Sequence, residues 1–109
     1  MILATFKMMI PLEKYAEVTK ILTRTVERTR VEPGCSSCHF YMDMQDKRGV
    51  VIEEAWMTND DLVRHLKSED FRDVLLVAET ALEAPEIIFS DVIQGNGMET
   101  IGKVRSVEG

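Results

Sequence analysis

The order in which hydrophobic periodicity changes along the chain is the feature that most restricts its fold. Apolar residues alternate with other residues over positions 2–10, which predicts a strand, and Pro11 ends this strand and suits the first turn of a helix. From Leu12 to about Arg30, apolar or small residues recur every three or four positions while charged residues fill the other side. This pattern predicts an amphipathic helix.

Proline, glycine and capping residues divide the rest of the chain. Pro33-Gly34 ends the first helix, and a later cluster of turn-forming residues separates two further strands. Thr58 and Ser68 are predicted N-caps of two successive helices, and Pro85 closes the second of these. The predicted elements of this part are strands over residues 35–44, 50–57 and 86–93, with helices that begin near residues 59 and 69.

This βαββαβ order predicts an α+β, ferredoxin-like fold in which helices cover one face of a four-stranded antiparallel sheet. The uncovered face would carry Leu3 and Met9. Because a large exposed apolar face marks an interface, we expect a homodimer whose sheets pack face to face. The predicted domain spans residues 1–94. Residues 95–109 are expected to be a C-terminal tail, either flexible or laid against the partner subunit.

Composition excludes several classes of protein. A chain of 109 residues can bury one core, and its 45% hydrophobic and 29% charged residues are typical of a globular domain. The net charge of −6 argues against a nucleic-acid partner, which requires a basic surface. The apolar runs are too short to span a bilayer, and no signal-peptide pattern follows Met1. We therefore expect no membrane partner and a cytoplasmic location.

Four short motifs fall where strands and helices are predicted to meet: Pro33-Gly34-Cys35, Glu54-Ala55-Trp56, His65-Leu66-Lys67-Ser68 and Phe71. Over residues 2–94 this pattern resembles the antibiotic biosynthesis monooxygenase family, whose members pair as dimeric α+β barrels. The resemblance implies a monooxygenase that oxidises an electron-rich quinol or polyphenol with O2. It also implies that no cofactor is used, neither metal nor flavin.

Three residues are the first candidates for the chemistry. Glu54 and Trp56 share one face of the third strand, where a carboxylate beside apolar residues needs a partner. Trp56 is either a large core residue or, as the resemblance implies, the wall of a pocket for a flat aromatic substrate, to which Glu54 would also contribute. His65 is either a hydrogen-bonded residue at the edge of the core or the base that accepts a phenol proton.

Four other residues are weaker candidates. Asp70 occupies a position where many relatives have a second histidine, and it would help His65 to accept a proton, while the adjacent Phe71 would contact the substrate. His39 and Tyr41 belong to a polar row on the face of the second strand opposite to Cys38. They either form part of the dimer interface or contribute polar groups to the substrate cavity.

The segment Cys35-Ser36-Ser37-Cys38-His39 matches the pattern for covalent haem attachment. In a regular strand, however, Cys35 and Cys38 would point to opposite faces about 10 Å apart, beyond the reach of about 7 Å that a disulfide allows. We therefore expect two packing cysteines. A metal site, a redox pair and haem attachment are the alternatives.

Two other functions fit the same scaffold. The protein would be a non-catalytic binding or stress-response protein if the cavity is vestigial or holds a small ligand, and the absence of the second histidine favours this alternative. It would be an isomerase of a small carbonyl substrate if His65 and Asp70 act as acid and base.

Overall fold

The computed structural model of the protein describes residues 1–93 and 95–108, which form a four-stranded sheet with helices on one face. This confirms the predicted α+β, ferredoxin-like fold. Over the described part of the chain, no helix is both long and apolar enough to cross a membrane. The strands are β1 (Ile2–Met9), β2 (Cys35–Met42), β3 (Gly49–Trp56) and β4 (Glu86–Asp91). The helices are α1 (Tyr15–Arg30), which follows a short 3₁₀ helix (Leu12–Lys14), α2 (Asn59–Leu66), α3 (Glu69–Glu79) and α4 (Gly97–Glu108).

The sheet has the strand order β2-β3-β1-β4, and every neighbouring pair is antiparallel. The alternation predicted for β1 is present, since Ala4, Phe6 and Met8 are buried beneath the helices. These side chains join the apolar faces of α1 and α3 in one continuous core. Further members of this core are Ile10, Val18, Leu22, Val50, Ile52, Trp56, Leu62, Phe71, Val74 and Val77.

Both predicted N-caps are confirmed. The Thr58 hydroxyl accepts a hydrogen bond from the Asp61 backbone N–H at 3.1 Å, and the Ser68 hydroxyl accepts one from the Phe71 N–H at 3.3 Å. Each bond satisfies a backbone donor that has no partner within the helix. The cap at Ser68 separates α2 from α3, so that the first turn of α3 directs Phe71 into the core.

The helices leave the other face of the sheet open. The pairing register places Leu3, Val51 and Ile88 on this face, and Tyr41 lies there on β2. Tyr41 is 49% exposed and Ile88 is 43% exposed, while Leu3 and Val51 are half-buried. The same register places Lys7, Glu53 and Glu86 there, so the face carries both apolar and charged side chains.

The C-terminal segment is more regular than the predicted tail. Gly97–Glu108 forms α4, and the side chain of Asn96 caps it by accepting a hydrogen bond from the Glu99 N–H at 3.1 Å. Glycines within the segment lower its helical propensity, which is why its pattern did not predict a helix. Gln94, the last residue of the predicted domain, and Gly109, the last of the predicted tail, lie outside the described residues.

Candidate active site

Trp56 and Glu54 lie at the end of β3, on the face that the helices cover. Their side chains point the same way because residues two apart in a strand share a face. Trp56 is 0% exposed and Glu54 is 1% exposed. The indole Nε1–H of Trp56 donates a hydrogen bond to Oε1 of Glu54 at 3.1 Å. The indole therefore supplies one of the partners that a buried carboxylate requires.

His65 reaches this pair from the inward side of α2. Its ring stacks on Trp56 with the ring centroids 4.6 Å apart and the planes inclined by 29°. The imidazole also meets Phe71 in an edge contact, with the centroids 5.4 Å apart and the planes at 74°. The structure therefore places four of the predicted site residues in one buried cluster, which comprises Trp56, Glu54, His65 and Phe71.

Both ring nitrogens of His65 face carboxylates. Nε2 lies 3.1 Å from Oε2 of Glu54, and Nδ1 lies 2.7 Å from Oε2 of Glu32. A neutral imidazole donates from only one nitrogen, whereas an imidazolium donates from both. Two flanking carboxylates therefore favour the charged form of His65.

Opposing effects act on the pKa of His65. Burial lowers this pKa because the interior solvates charge poorly, whereas the hydrogen bonds and negative charges of Glu54 and Glu32 raise it. The carboxylates prevail, so the pKa of His65 lies above its usual value of 6.5. Burial also raises the pKa of Glu32 above its usual 4.5, although the charge of His65 opposes this rise. Both raised pKa values favour the protonated forms of His65 and Glu32.

Glu32 was not among the predicted site residues. It lies just beyond the end of α1, and 33 positions separate it from His65, so no local motif links the two. Its side chain retains 18% exposure, whereas that of His65 has none. Glu32 is thus the outer end of a hydrogen-bonded chain that continues through His65 and Glu54 to Trp56.

The turn after Glu32 is fixed against α2. Gly34 has a φ of +81°, which residues with a side chain rarely adopt, and a Cβ at this position would overlap the carboxylate of Asp61. The Arg64 guanidinium donates a hydrogen bond to the Pro33 carbonyl at 2.6 Å. These contacts hold the turn against the helix that carries His65, and so bring Glu32 within hydrogen-bonding distance of the imidazole.

Asp70 lies outside the aromatic cluster, half-buried in the first turn of α3. Its negative charge contributes to the raised pKa of Glu32. Asp70 therefore acts on the outer end of the hydrogen-bonded chain, through Glu32.

His39 and Tyr41 lie on the open face of the sheet, across from Trp56. Both are exposed, and their ring centroids are 6.0 Å apart. Nδ1 of His39 lies 3.0 Å from Nη2 of Arg30, which reaches around the edge strand β2. The structure does not bring these two residues to the buried cluster. Of the two roles considered for them, their position favours the dimer interface.

The two cysteines share one face of β2, so the prediction that they point to opposite faces is wrong. A β-bulge between Cys35 and Ser37 adds a residue to β2, so that Cys35 pairs with Trp56 and Cys38 with Glu54. Both thiols are free. Burial, reinforced by the charge of Glu54, raises the pKa of Cys35 to about 11 and raises that of Cys38 further. Because the thiolate is the reactive form, these raised pKa values favour a packing role.

The last question about these residues is whether any of them could bind a metal ion. Within residues 1–93 and 95–108, no group of three His, Cys, Asp or Glu side chains is arranged to hold a metal ion.

A mainly apolar groove with a volume of about 340 Å³ opens between α2 and β4 beside the buried cluster. Ile2 lies in its wall, and the backbone of Ile2 pairs with that of Trp56 across β1 and β3. Leu62 and Leu66 form another wall, on the same helix as His65. We call this space the α2–β4 groove. The remaining lining residues are Asn59, Val63, Phe89, Ser90 and Asp91.

Solved structures with the same fold include an antibiotic biosynthesis monooxygenase that is 25% identical to this chain. The match has a TM-score of 0.79 and covers 86% of this chain and 100% of that chain. A proposed antibiotic biosynthesis monooxygenase from Deinococcus radiodurans is 16% identical, with a TM-score of 0.80 and coverage of 89% and 97%. A conserved protein from Methanosarcina mazei Go1 is 22% identical, with a TM-score of 0.79 and coverage of 84% and 92%.

No curated protein matches the sequence significantly. The family model described as "Antibiotic biosynthesis monooxygenase" matches residues 1–75, a span that runs from β1 into α3. This span includes every residue of the hydrogen-bond network that links Glu32 to Trp56. The chain therefore belongs to the antibiotic biosynthesis monooxygenase family.

Proposed function

We propose that the protein is a cofactor-independent monooxygenase that oxidises an electron-rich quinol or polyphenol with O2. The observation that carries the proposal is the stacked pair of Trp56 and His65, held between two carboxylates beside an apolar groove. Aromatic walls suit a flat aromatic substrate, and an imidazole between carboxylates is suited to moving a proton. Family membership supports the general class of reaction.

The substrate itself supplies the electrons in this reaction. A deprotonated quinol transfers one electron to O2, and the resulting radical pair combines at a ring carbon. Loss of water then leaves the oxidised ring, so that one oxygen atom enters the product and the other leaves as water. For a hydroquinone, the products are a hydroxyquinone and one water molecule, and no external reductant is consumed.

His65 is the proposed proton acceptor, and it acts together with its carboxylates. Because both of its nitrogens face carboxylates, His65 first passes its Nδ1 proton to Glu32, the partly exposed end, and then accepts the substrate's proton at Nε2, either directly or through Glu54. Asp70 assists, because its negative charge increases the proton affinity of Glu32. Trp56, Glu54 and Phe71 would form the inner wall of the substrate site.

The α2–β4 groove is the proposed entrance for the substrate. In the proposed arrangement Leu62, which is 4% exposed, and Leu66 separate the groove from the imidazole. A substrate therefore reaches His65 only after these two side chains change rotamer. Such a gate would exclude bulk water from the reactive pair.

The proposed enzyme is a homodimer that forms through the open face of the sheet. The exposed Tyr41 and Ile88 and the half-buried Leu3 and Val51 on that face support this assembly. His39 would lie at the same interface, where its contact with Arg30 orients the ring.

One observation favours a second function, a binding protein without turnover. Both nitrogens of His65 already have partners, and the imidazole is completely buried, so the cluster is equally suited to a structural role. In that case an aromatic ligand would occupy the α2–β4 groove without reacting.

Oxygen uptake with a panel of hydroquinones and anthrones, without added metal, flavin or haem, tests the proposal. Wild type would be compared with His65→Gln and with Arg72→Gln, a control at an exposed residue of α3. Trp56 is the only tryptophan, so quenching of its fluorescence reports ligand binding separately from turnover. Uptake in a buffer blank measures autoxidation.

We expect uptake by wild type that is lost in His65→Gln and kept in Arg72→Gln. Quenching of Trp56 fluorescence without oxygen uptake would favour the binding protein over the enzyme. Uptake that is equal in all three proteins would show that His65 is not the proton acceptor. The absence of both quenching and uptake with every compound would contradict the proposed substrate class.

A further inference from the structure

Helix α4 presents an apolar stripe that no other described segment of its own chain covers. Met98, Ile101 and Val104 recur every three residues and are 75%, 50% and 56% exposed. Glu99 and Lys103 form an ion pair of 3.2 Å one turn apart, on the opposite side of the helix. A helix with one charged face and one exposed apolar face is amphipathic, and its apolar face requires a surface to pack against.

The exposed apolar surface continues from the sheet to this helix. Ile88 lies on the open face of β4, and it is followed by Val92, which is 36% exposed, and Ile93, which is 97% exposed. The chain is also elongated, with principal extents of 52, 34 and 22 Å. Further exposed apolar side chains therefore follow the sheet face at Val92 and Ile93.

We propose that α4 docks on a second copy of this chain and covers that copy's α2–β4 groove. By two-fold symmetry each copy then donates one helix and receives one. The proposal rests on the face-to-face dimer of the proposed function and adds a helix from the partner to its substrate entrance. It does not follow from family membership, because α4 lies beyond the matched residues 1–75.

The area that a stable dimer needs supports a second copy as the occupant. A four-stranded sheet of this size is about 20 Å by 25 Å, so its face covers roughly 500 Å² in projection. A standard interface buries about 800 Å² per partner. A helix of the length of α4 is about 18 Å long and 10 Å wide, or roughly 180 Å² in projection. One helix donated and one received bring the interface to the standard size.

The groove and the stripe have complementary properties. Apolar side chains dominate the groove, and Val63 and Phe89 are accessible from solvent at 37% and 51%. Asp91 lies at the rim with 85% of its side chain exposed, while Arg105 flanks the stripe on α4. The helix would therefore place apolar residues on the walls of the groove and a cation near the rim. Closing the groove in this way would also exclude water from the entrance.

Cysteine cross-linking in the full chain tests the proposal. Ile101→Cys on the stripe would be combined with Val63→Cys in the groove and oxidised at low protein concentration. The matched control combines Val63→Cys with Lys103→Cys, which lies on the charged side of α4. Each single variant would also be oxidised, to identify cross-links that involve Cys35. A disulfide requires Cα atoms within about 7 Å, so it reports close contact.

We expect a covalent dimer on a non-reducing gel for the pair with Ile101→Cys, and much less for the control pair. A cross-link within one chain would show that α4 covers the α2–β4 groove of its own chain, which would overturn the proposal. The absence of any cross-link in a protein that light scattering shows to be dimeric would overturn the docking of α4 but keep the proposed dimer. A monomeric mass for wild type would contradict the dimer itself.

A second variant measures how much α4 contributes. Ile101→Asp places a charge in the centre of the stripe, at an exposed position that the fold of a single chain does not require. We expect the Kd of the dimer to rise at least about 10-fold, which corresponds to about 1.4 kcal/mol, because the charge removes the burial of an isoleucine. The same Kd as wild type would overturn the proposal.

Discussion

Oε2 of Glu54 lies 3.1 Å from Nε2 of His65, while Oε1 of the same carboxylate accepts the indole hydrogen of Trp56. Side chains from β3 and α2 thus form one polar unit inside an apolar core. Among the described residues, no buried side-chain nitrogen or oxygen lacks a hydrogen-bond partner. Loss of one member would therefore leave another buried and unpaired, which is costly in free energy.

Glu54→Gln should destabilise the protein strongly. The amide keeps the size of the side chain but removes the charge that His65 faces, and breaking a buried ion pair costs about 3 kcal/mol. Glu27→Gln is the matched control, because Glu27 is exposed on α1, away from the open face of the sheet. It should change the free energy of unfolding by less than about 0.5 kcal/mol. Urea unfolding measures both, and equal losses would contradict a buried ionic cluster.

The free energy of unfolding should fall as the pH rises above neutral. The pKa of His65 is raised in the folded state, so its stabilising contribution is complete below about pH 6.5 and is lost as the pH rises through the folded pKa. The pKa of Glu32 is also raised, so its contribution changes in the same direction.

Urea unfolding of wild type and His65→Gln between about pH 6 and pH 9 measures this effect. The stability difference between the two proteins should shrink toward high pH. Parallel pH profiles would show that His65 has no raised pKa in the folded state.

Gly34→Ala should separate the turn after α1 from α2. A side chain costs roughly 1–2 kcal/mol at a positive φ, and the added methyl would also displace Asp61. Gly95→Ala is the control, since within the described part of the chain, its sequence neighbours apart, no atom lies within 4 Å of a Cβ there. We expect a loss of at least about 2 kcal/mol for Gly34→Ala and almost none for Gly95→Ala.

The pKa of His65 should also change in Gly34→Ala. The hydrogen bond between Glu32 and His65 depends on the turn, so the pKa of His65 measured by NMR should decrease in Gly34→Ala. An unchanged pKa would show that Glu32 keeps its position without this contact.

Both cysteines should react slowly with thiol reagents in the folded protein. The pKa of Cys35 is raised from 9.0 to about 11, so its thiolate fraction at pH 8 falls about 100-fold relative to an ordinary thiol. Cys38 is 1% exposed and should react more slowly still. The release of thionitrobenzoate from a disulfide reagent measures these rates, with protein unfolded in urea as the reference. Rapid labelling of both thiols in the folded state would support the redox pair instead.

Much of the fold follows from local patterns. The alternation in β1, the amphipathic pattern of α1 and the caps at Thr58 and Ser68 each depend on residues close in sequence, so the chain alone predicts them. The common face of Glu54 and Trp56 follows in the same way from the period of a strand.

Other features depend on contacts between distant segments. Glu32 becomes a partner of His65 only because Gly34 lets the turn approach Asp61, and nothing near Glu32 in sequence encodes that contact. The bulge that places Cys35 and Cys38 on one face arises from the pairing of β2 with β3, which periodicity within β2 alone does not reveal.

The sequence by itself therefore determined the order of the elements, their buried faces and two of the aromatic residues of the site, Trp56 and Phe71. The tertiary structure decided that His65 lies between two carboxylates, that His39 and Tyr41 lie across the sheet from it, and that α4 exposes an apolar stripe. The physical reason is the distance along the sequence over which each interaction acts. Periodicity and capping act over a few residues, whereas a buried charge is placed by whichever distant groups the fold brings within hydrogen-bonding distance.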